Sequence, residues 1–199
     1  MIDLINIASD LPHNKFLDLY QKALKEKQRG IEAIAISSYD KSSNQVESRF
    51  VNLKYISGNE WIFFSNYLSP KAIQFESHDQ ISALFYWGAI NSQIRLKAKI
   101  NKTSVEFSDK HFQSRSKEKN ALAISSNQSQ PIDSFASVKE NFYTTLSSMN
   151  SESQRPEYWG GYSFTPYYFE FWEGHENRLN KRHVFSMEEG SWRASLLQP

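Results

Sequence analysis

The residues best suited to chemistry lie near the C-terminus, in the stretch FEFWEGHENRLNKR at positions 169–182. An alternating aromatic pattern that is typical of a strand ends at Gly174 and is followed by a crowd of polar side chains. Trp172 offers a flat apolar face, while Arg178 and Arg182 offer planar cations with several hydrogen-bond donors. Three interpretations fit this pattern: a solvated turn, a surface basic cluster, or a binding site for something flat and anionic.

Further cations occur within and at the ends of predicted elements. The segment RFVNLK places Arg49 on one strand face and Lys54 on the other, where both could simply be solvated. In the segment SPKA, Ser69 can cap a helix that begins at Pro70, so Lys71 falls in the first helical turn. A cation there opposes the helix macrodipole, but it becomes favourable if an anion also binds at the helix N-terminus.

Neutral polar groups complete the set of candidates. Gln93 lies on an alternating strand, and the pair Gln128-Ser129 lies in a polar loop. Most such residues are ordinary polar surface. Each is therefore a weak indication alone, and their order along the chain matters more than any single residue.

Composition excludes several classes of function. The chain has no Cys, which excludes disulfides and thiolate chemistry, and its five His lack metal-ligand spacing, so no metal is expected. A formal net charge of +1 gives no reason to expect nucleic-acid binding. No apolar run approaches the ~20 residues that span a bilayer, and the first residues lack a basic signal region, so a cytoplasmic protein without a membrane partner is expected.

The elements that must position these residues indicate an α+β protein with an antiparallel sheet that closes toward a barrel. We expect a single domain over 1–199, with an N-terminal helical segment over 1–30 and C-terminal strands over 160–199 that complete the site. A loop is predicted over 148–161, and a hairpin turn at Glu189-Gly190. Besides the helix that begins at Pro70, the predicted helices are 13–28, 104–124 and 134–149. The predicted strands are 33–37, 49–56, 60–65, 80–87, 92–100, 162–172, 183–187 and 191–195.

These motifs, taken in order, resemble the pyridoxine/pyridoxamine 5′-phosphate oxidase family, which is FMN-dependent and has an FMN-binding split-barrel fold. The resemblance covers about residues 12–199, and its C-terminal block EFWxGxxxRLxxR is the most specific part. The matching segments are a helix with Pro12, Phe16 and Ala23, the RxVxLK strand from Arg49 to Lys54, Phe64-Ser65-Asn66, Ser69 to Ala72, Gln93, Gln128-Ser129, Trp159 to Gly161, Glu170 to Arg182, and the ending SWRASLLQP.

The resemblance implies roles for individual residues, with FMN bound at a homodimer interface and Gln128 and Ser129 reaching it from the partner subunit. Arg178 and Asn180 correspond to catalytic positions beside the substrate. The cofactor-binding positions are Arg49, Phe50, Val51, Asn52, Leu53, Lys54, Phe64, Ser65, Lys71, Gln93, Gln128, Ser129, Trp172 and Arg182. The substrate-binding positions are Lys54, His111, Arg115, Lys119, Arg178 and Asn180.

The chain departs from the family pattern mainly around the substrate. Pro70 replaces an arginine before Lys71, His111 replaces a tyrosine, Lys119 replaces a serine and Asn180 replaces a histidine. The expected function is oxidation of pyridoxamine or pyridoxine 5′-phosphate to pyridoxal 5′-phosphate with oxygen as acceptor. Two alternatives stay open: oxidation of another flat anionic substrate, such as a phenazine precursor, and a flavin-binding protein without catalysis.

Overall fold

The computed structural model describes residues 1–150 and 153–199, so residues 151 and 152 of the predicted 148–161 loop lie outside the described residues. The described residues form a mixed α+β fold with five α-helices and ten strands. The helices are α1 Leu11–Lys25, α2 Pro70–Ser77, α3 Val105–Ser114, α4 Lys117–Ser125 and α5 Phe135–Ser148. The strands are β1 Asp3–Ile5, β2 Ala33–Asp40, β3 Gln45–Asn52, β4 Tyr55–Ser57, β5 Glu60–Asn66, β6 Gln80–Trp87, β7 Ser92–Lys102, β8 Trp159–Glu173, β9 Lys181–Glu188 and β10 Ser191–Leu197.

The ten strands form one sheet in the order β1-β4-β5-β8-β7-β6-β2-β3, with β9 and β10 attached to β8. Every pair is antiparallel except β1 with β4. The sheet forks at β8, because the first half of this strand pairs with β5 and the second half pairs with β9. Among the described residues no ladder closes the sheet, so the antiparallel α+β prediction is confirmed while barrel closure stays a prediction.

The predicted 49–56 strand is wrong in one respect, because it breaks at Leu53 and Lys54. The N–H of Leu53 donates to the carbonyl of Glu32, whereas the N–H of Lys54 donates to the carbonyl of Ile62, each at 2.8 Å. Two consecutive N–H groups therefore bind carbonyls in separate parts of the sheet, one directly before β2 and the other in β5. These two residues carry the chain from β3 at one end of the sheet to β4 near the other.

The predicted 104–124 helix is also divided. Arg115 is extended and ends α3, and the Ser116 hydroxyl accepts a hydrogen bond from the Lys119 N–H to begin α4. This break places Arg115 between two helices, facing the sheet. The predicted hairpin turn is confirmed, since Glu189 and Gly190 both have positive φ, 49° and 78°, between β9 and β10.

Aromatic side chains dominate the core. Phe16 of α1 is fully buried, with its ring centroid 4.5 Å from Trp61, and it also packs against Phe85 and Trp87. This contact fixes α1 across the sheet. No helix in the described parts of the chain is long and apolar enough to span a membrane.

Candidate functional site

A cavity of about 710 Å³ lies where β3, β4 and β5 meet α2, α3 and α4. The predicted site residues that it brings together are Phe50, Val51, Asn52, Lys54, Phe64, Ser65, Lys71, His111, Arg115, Lys119 and Gln128. Its wall is completed by residues that were not predicted as site residues: Asp3, Glu32, Tyr55, Ser114, Ser116 and Trp159.

Both faces of β3 contribute to this cavity, because β3 is a terminal strand of the sheet. Phe50 and Asn52 project to one face and Val51 to the other, yet all three line the cavity. Leu53 is an exception to the predicted cofactor set, since its side chain is fully buried in the hydrophobic core. Its predicted contact could be made only by the backbone.

The start of α2 presents a buried cation. Lys71 is 8% exposed, and burial followed by the charge of Arg49 lowers its pKa. Ser69 is the N-cap residue, but its hydroxyl donates to the carbonyl of Asn66 instead of capping the helix, and it accepts from Lys71 Nζ at 3.2 Å. Among the described residues, no carboxylate lies within ion-pair distance of Lys71.

Arg49 does not line the cavity and instead joins β2, β3 and α2. Its guanidinium donates to the Ser38 hydroxyl at 2.6 Å, to Gln74 Oε1 at 2.9 Å and to Glu47 Oε2 at 2.9 Å. Arg49 therefore already has a carboxylate partner. Its charge still reaches Lys71, whose pKa it helps to lower.

A second group of cations surrounds His111 on α3. Burial, followed by the charges of Arg115, Lys54 and Lys119, lowers the pKa of His111 to about 4, so its imidazole is neutral at pH 7. Burial lowers the pKa of Arg115 to about 10, and its buried Nη1 has no hydrogen-bond partner among residues 1–150 and 153–199. Among the described residues, none of the three cations forms an ion pair with a carboxylate.

Flat side chains line the same wall. The His111 ring stacks on Phe64 with centroids 3.6 Å apart, and the Trp159 ring lies nearly parallel to both, 5.4 Å from Phe64 and 6.2 Å from His111. The guanidinium of Arg115 lies over the Trp159 ring at 4.3 Å. The Tyr55 hydroxyl shares a hydrogen bond of 2.8 Å with His111 Nδ1. The cavity thus combines an aromatic wall with several cations that form no ion pair with the described carboxylates, which suits a flat anion.

Gln128 lies in the cavity of its own chain, whereas the resemblance had implied that it reaches the cofactor from the partner subunit. Its Oε1 accepts from the Ser65 hydroxyl at 3.3 Å and from the Asn66 N–H at 3.2 Å. These two hydrogen bonds hold the loop between α4 and α5 against the end of β5. Ser129 does not line the cavity and has a positive φ of 68° in this loop.

The remaining predicted cofactor residues line a different hollow, of about 310 Å³, on the sheet. Gln93 pairs with Trp172, and Trp172 pairs with Arg182, so the three residues form one row across β7, β8 and β9. Beside the row, the buried Glu170 carboxylate binds Arg95 through Oε2 and accepts from Arg182 Nε through Oε1 at 2.8 Å. This hollow shares no lining residue with the cavity.

The predicted catalytic residues lie on the exposed turn after β8. Arg178 has a positive φ of 60°, and its N–H donates to the carbonyl of His175 at 2.9 Å. Asn180 Oδ1 accepts from the N–H of His175 at 3.0 Å. In this chain the Asn180 side chain therefore closes the turn that carries Arg178.

Sequence reasoning missed residues that enter the site only through long-range packing. Tyr55 directly follows the predicted Lys54, and that adjacency was the one available indication for it. Asp3 and Glu32 come from distant segments and had none. Within residues 1–150 and 153–199, no cluster of three or more His, Asp or Glu side chains could hold a metal ion.

Comparison with known proteins places these features in context. Residues 159–199 match the family described as the pyridoxine 5′-phosphate oxidase C-terminal dimerisation region. Pyridoxine/pyridoxamine 5′-phosphate oxidase 1 of Hydrogenovibrio crunogenus is 32% identical over 191 residues, which cover 94% of this chain and 88% of that protein. The pyridoxine/pyridoxamine 5′-phosphate oxidase of Rubrobacter xylanophilus is 34% identical over 157 residues, which cover 76% of this chain and 70% of that protein.

Two solved structures share the fold. The crystal structure of PhzG from Burkholderia lata 383, in complex with tetrahydrophenazine-1-carboxylic acid, has a TM-score of 0.88 at 23% identity and covers 94% of this chain and 92% of PhzG. A pyridoxamine 5′-phosphate oxidase-related, FMN-binding protein from Nostoc punctiforme has a TM-score of 0.78 at 11% identity, covering 96% and 99%. At these identities the likeness concerns the fold alone.

Proposed function

This chain belongs to the pyridoxine/pyridoxamine 5′-phosphate oxidase family of oxidoreductases, and from that premise we propose that it oxidises pyridoxamine or pyridoxine 5′-phosphate to pyridoxal 5′-phosphate with FMN as cofactor. With the amine as substrate, the balanced reaction consumes oxygen and water and yields the aldehyde, ammonia and hydrogen peroxide. FMN, when bound, supplies the redox chemistry by accepting a hydride equivalent from the substrate and passing the electrons to oxygen.

The residues present fit a flat phosphorylated cofactor. Lys71 is a buried cation at the N-terminus of α2 that pairs with no carboxylate in the described part of the chain, and this is a favourable place for a phosphate. Pro70 has no N–H to donate, and the N–H groups of Ala72 and Ile73 donate to the Ser69 carbonyl, so Lys71 would hold that phosphate. Phe50, Val51 and Asn52, with Ser65 and Gln128, would line the flavin.

The substrate site lies beside the flavin in this proposal. Lys54, Arg115 and Lys119 would hold the substrate phosphate, and His111 would contribute a neutral ring next to it. Arg178 would lie over the substrate ring and stabilise charge that develops there. Asn180 shapes the turn that carries Arg178 and would face the substrate beside it. The single observation that carries the function is the convergence of Lys54, Arg115 and Lys119 on a neutral histidine, with no ion pair from these cations to a carboxylate of the described residues.

A homodimer would complete the site and the split barrel. Residues 159–199 match a dimerisation region, and they include β8 and β9, which carry Trp172 and Arg182. We propose that Gln93, Trp172 and Arg182 of one subunit cover the cavity of the other, with FMN between them. Sedimentation of the FMN-loaded protein should give the mass of a dimer, and a monomer that retains FMN would contradict this arrangement.

The test of function begins with colour. The purified protein should be yellow, and pyridoxamine 5′-phosphate should bleach the flavin absorbance without oxygen and restore it when air is admitted. Arg115→Ala should raise KM for the phosphorylated substrate at least tenfold, since a hydrogen-bonded cation–phosphate contact is worth about 1.5–3 kcal/mol. Lys110→Ala is the matched control, because Lys110 is exposed on α3 and does not line the cavity.

A second candidate function is favoured by a side hollow. A space of about 170 Å³ adjoins Arg115 and Lys119 and is bounded by Leu122, Ala123 and Trp159. This space would admit a bulkier apolar ring beside the anionic group, as in a phenazine-type precursor. Bleaching by a flat polycyclic carboxylate but not by pyridoxamine 5′-phosphate would favour this candidate. A colourless protein that takes up no added FMN would exclude both oxidase functions and leave a non-catalytic role.

A further inference from the structure

Tyr55 lines the cavity and forms a hydrogen bond with His111. It is the first residue of β4, directly after the chain crosses from β3, and its hydroxyl is 2.8 Å from His111 Nδ1. The two rings are nearly perpendicular, at 85°, with centroids 5.4 Å apart. Phe107 packs edge-on against Tyr55 at 5.5 Å, so the phenol is held from a second side.

The His111 ring has little freedom to move. It is stacked on Phe64 at 3.6 Å and lies within 12° of its plane, while Nδ1 is engaged by Tyr55. The remaining polar atom of the ring is Nε2. A rigid imidazole with one nitrogen engaged presents a single defined group, either an N–H or a lone pair, to whatever it meets next.

The charges around the ring determine whether Nε2 of His111 carries an N–H or a lone pair. The pKa of His111 is lowered to about 4 by burial and then by Arg115, Lys54 and Lys119, so the ring carries one proton at neutral pH. Burial, and then the charge of Asp3, raises the pKa of Tyr55, so its hydroxyl keeps its proton. A carboxylate or a fully ionised phosphate held by the three cations accepts hydrogen bonds and donates none. It therefore favours the tautomer with the proton on Nε2, in which Tyr55 donates to Nδ1.

We propose, building on the proposed function, that Tyr55 is a positioning residue whose hydroxyl holds His111 as the neutral Nε2–H tautomer, so that His111 donates a hydrogen bond to the anionic group of the substrate. Tyr55 and His111 form the recognition pair. The pair adds one directional neutral donor to the charges of Lys54, Arg115 and Lys119. The pair favours a substrate whose anionic group places a hydrogen-bond acceptor next to the Nε2–H of His111.

The tautomer is tested with inorganic phosphate in place of the substrate, so that an anion occupies the cavity. Nitrogen-15 NMR of the FMN-loaded protein should show His111 with a protonated Nε2 and a bare Nδ1 near neutral pH, and Tyr55→Phe should convert it to a tautomer mixture. Tyr143→Phe is the matched control, because Tyr143 is exposed on α5. A protonated Nδ1 in the unmodified protein, or a spectrum unchanged by Tyr55→Phe, would overturn the proposal.

Binding is tested with pyridoxal 5′-phosphate and, in a parallel arm, with a flat aromatic carboxylate. Tyr55→Phe should weaken the preferred ligand about 5- to 10-fold by calorimetry, with kcat within about twofold, as expected for one misdirected hydrogen bond. If Tyr55→Phe folds poorly, His111→Gln and His111→Leu replace it. The glutamine keeps a donor amide and should lose about fivefold less affinity than leucine.

The outcomes separate the two proposals. If the unmodified protein binds neither ligand while the tautomer depends on Tyr55, the proposed function fails and the positioning role stands. If it binds pyridoxal 5′-phosphate and Tyr55→Phe binds equally well, the proposed function stands and the recognition pair is wrong. Equal losses for glutamine and leucine at position 111 would likewise refute a donor role.

Discussion

Replacing Glu170 with glutamine should destabilise the protein by an amount that depends on pH. The Glu170 side chain is 7% exposed, and its two oxygens bind Arg182, Arg95 and the Tyr168 hydroxyl. Hydrogen bonds to a charged group contribute about 1.5–3 kcal/mol. Arg95 and Arg182 are 46% and 27% exposed and can turn to water, so we use that range for the whole cluster. The melting temperature should fall by about 3–12 °C at pH 7.

The sign of the pH effect follows from the carboxyl group. Burial alone would raise the pKa of Glu170, but hydrogen bonds from Arg182 and Tyr168 and the charge of Arg95 bring it below its ordinary value. Its contribution to stability is therefore complete above the unfolded-state pKa of about 4.3 and is lost as the pH falls through the lower folded-state value. The difference between the parent protein and Glu170→Gln should shrink over that acid range.

Thermal melts from pH 7 to about pH 3 check both statements. Asp79→Asn is the control, because its ion pair with Lys99 joins side chains that are 53% and 55% exposed, and its melting temperature should match the parent at pH 7. A Glu170→Gln protein that melts within about 1 °C of the parent at pH 7 would refute the cluster's role in stability. A difference that stays constant down to acid pH would refute the charge assignment.

Three further changes test other parts of the fold and site. Glu47→Gln removes the half-exposed carboxylate that pairs with Arg49, a predicted cofactor-binding residue. The Kd for FMN should therefore fall about 2- to 5-fold in a fluorescence titration. Unchanged or weaker FMN binding would contradict this. Phe16→Ala should reduce the free energy of unfolding by about 3–5 kcal/mol in urea, since its ring is fully buried, and a loss below about 1.5 kcal/mol would show that the site collapses. Gly160→Ala would put a Cβ 2.2 Å from the Tyr67 hydroxyl oxygen and should cost about 1–3 kcal/mol. Adding Tyr67→Phe should recover part of that loss, and a fully stable single variant would show that Tyr67 moves freely.

Local patterns predicted the elements well where one side-chain period dominates. The 80–87 strand agrees with β6, because a strand with a buried alternate face has a strong period of two. The break at Leu53 and Lys54 could not be predicted in this way. Both residues continue the alternating pattern, and the break arises because their amides bond to different strands. Such a choice depends on the completed sheet.

In the candidate site too, some residues were predicted from the sequence, whereas others enter only through long-range packing. The cavity residues Lys54, Lys71, His111 and Arg115 were predicted through the family resemblance, and the structure does bring them together. The network around Arg49 was not predicted, because Ser38 and Gln74 are ordinary polar residues until β2 and α2 bring them into contact with it. Tyr55 was missed for a similar reason. Its proposed positioning role depends on one long-range hydrogen bond, to His111.

The two separated hollows are the strongest structural reason to expect a shared site. Gln93, Trp172 and Arg182 are direct register neighbours across three strands, so the sheet fixes their positions together. Lys71 and its neighbours line a cavity that shares no residue with that row. If both groups contact one cofactor, the separate linings agree with the proposed arrangement in which they belong to different chains. Glu170, by fixing Arg182, would then act on the site of the partner subunit.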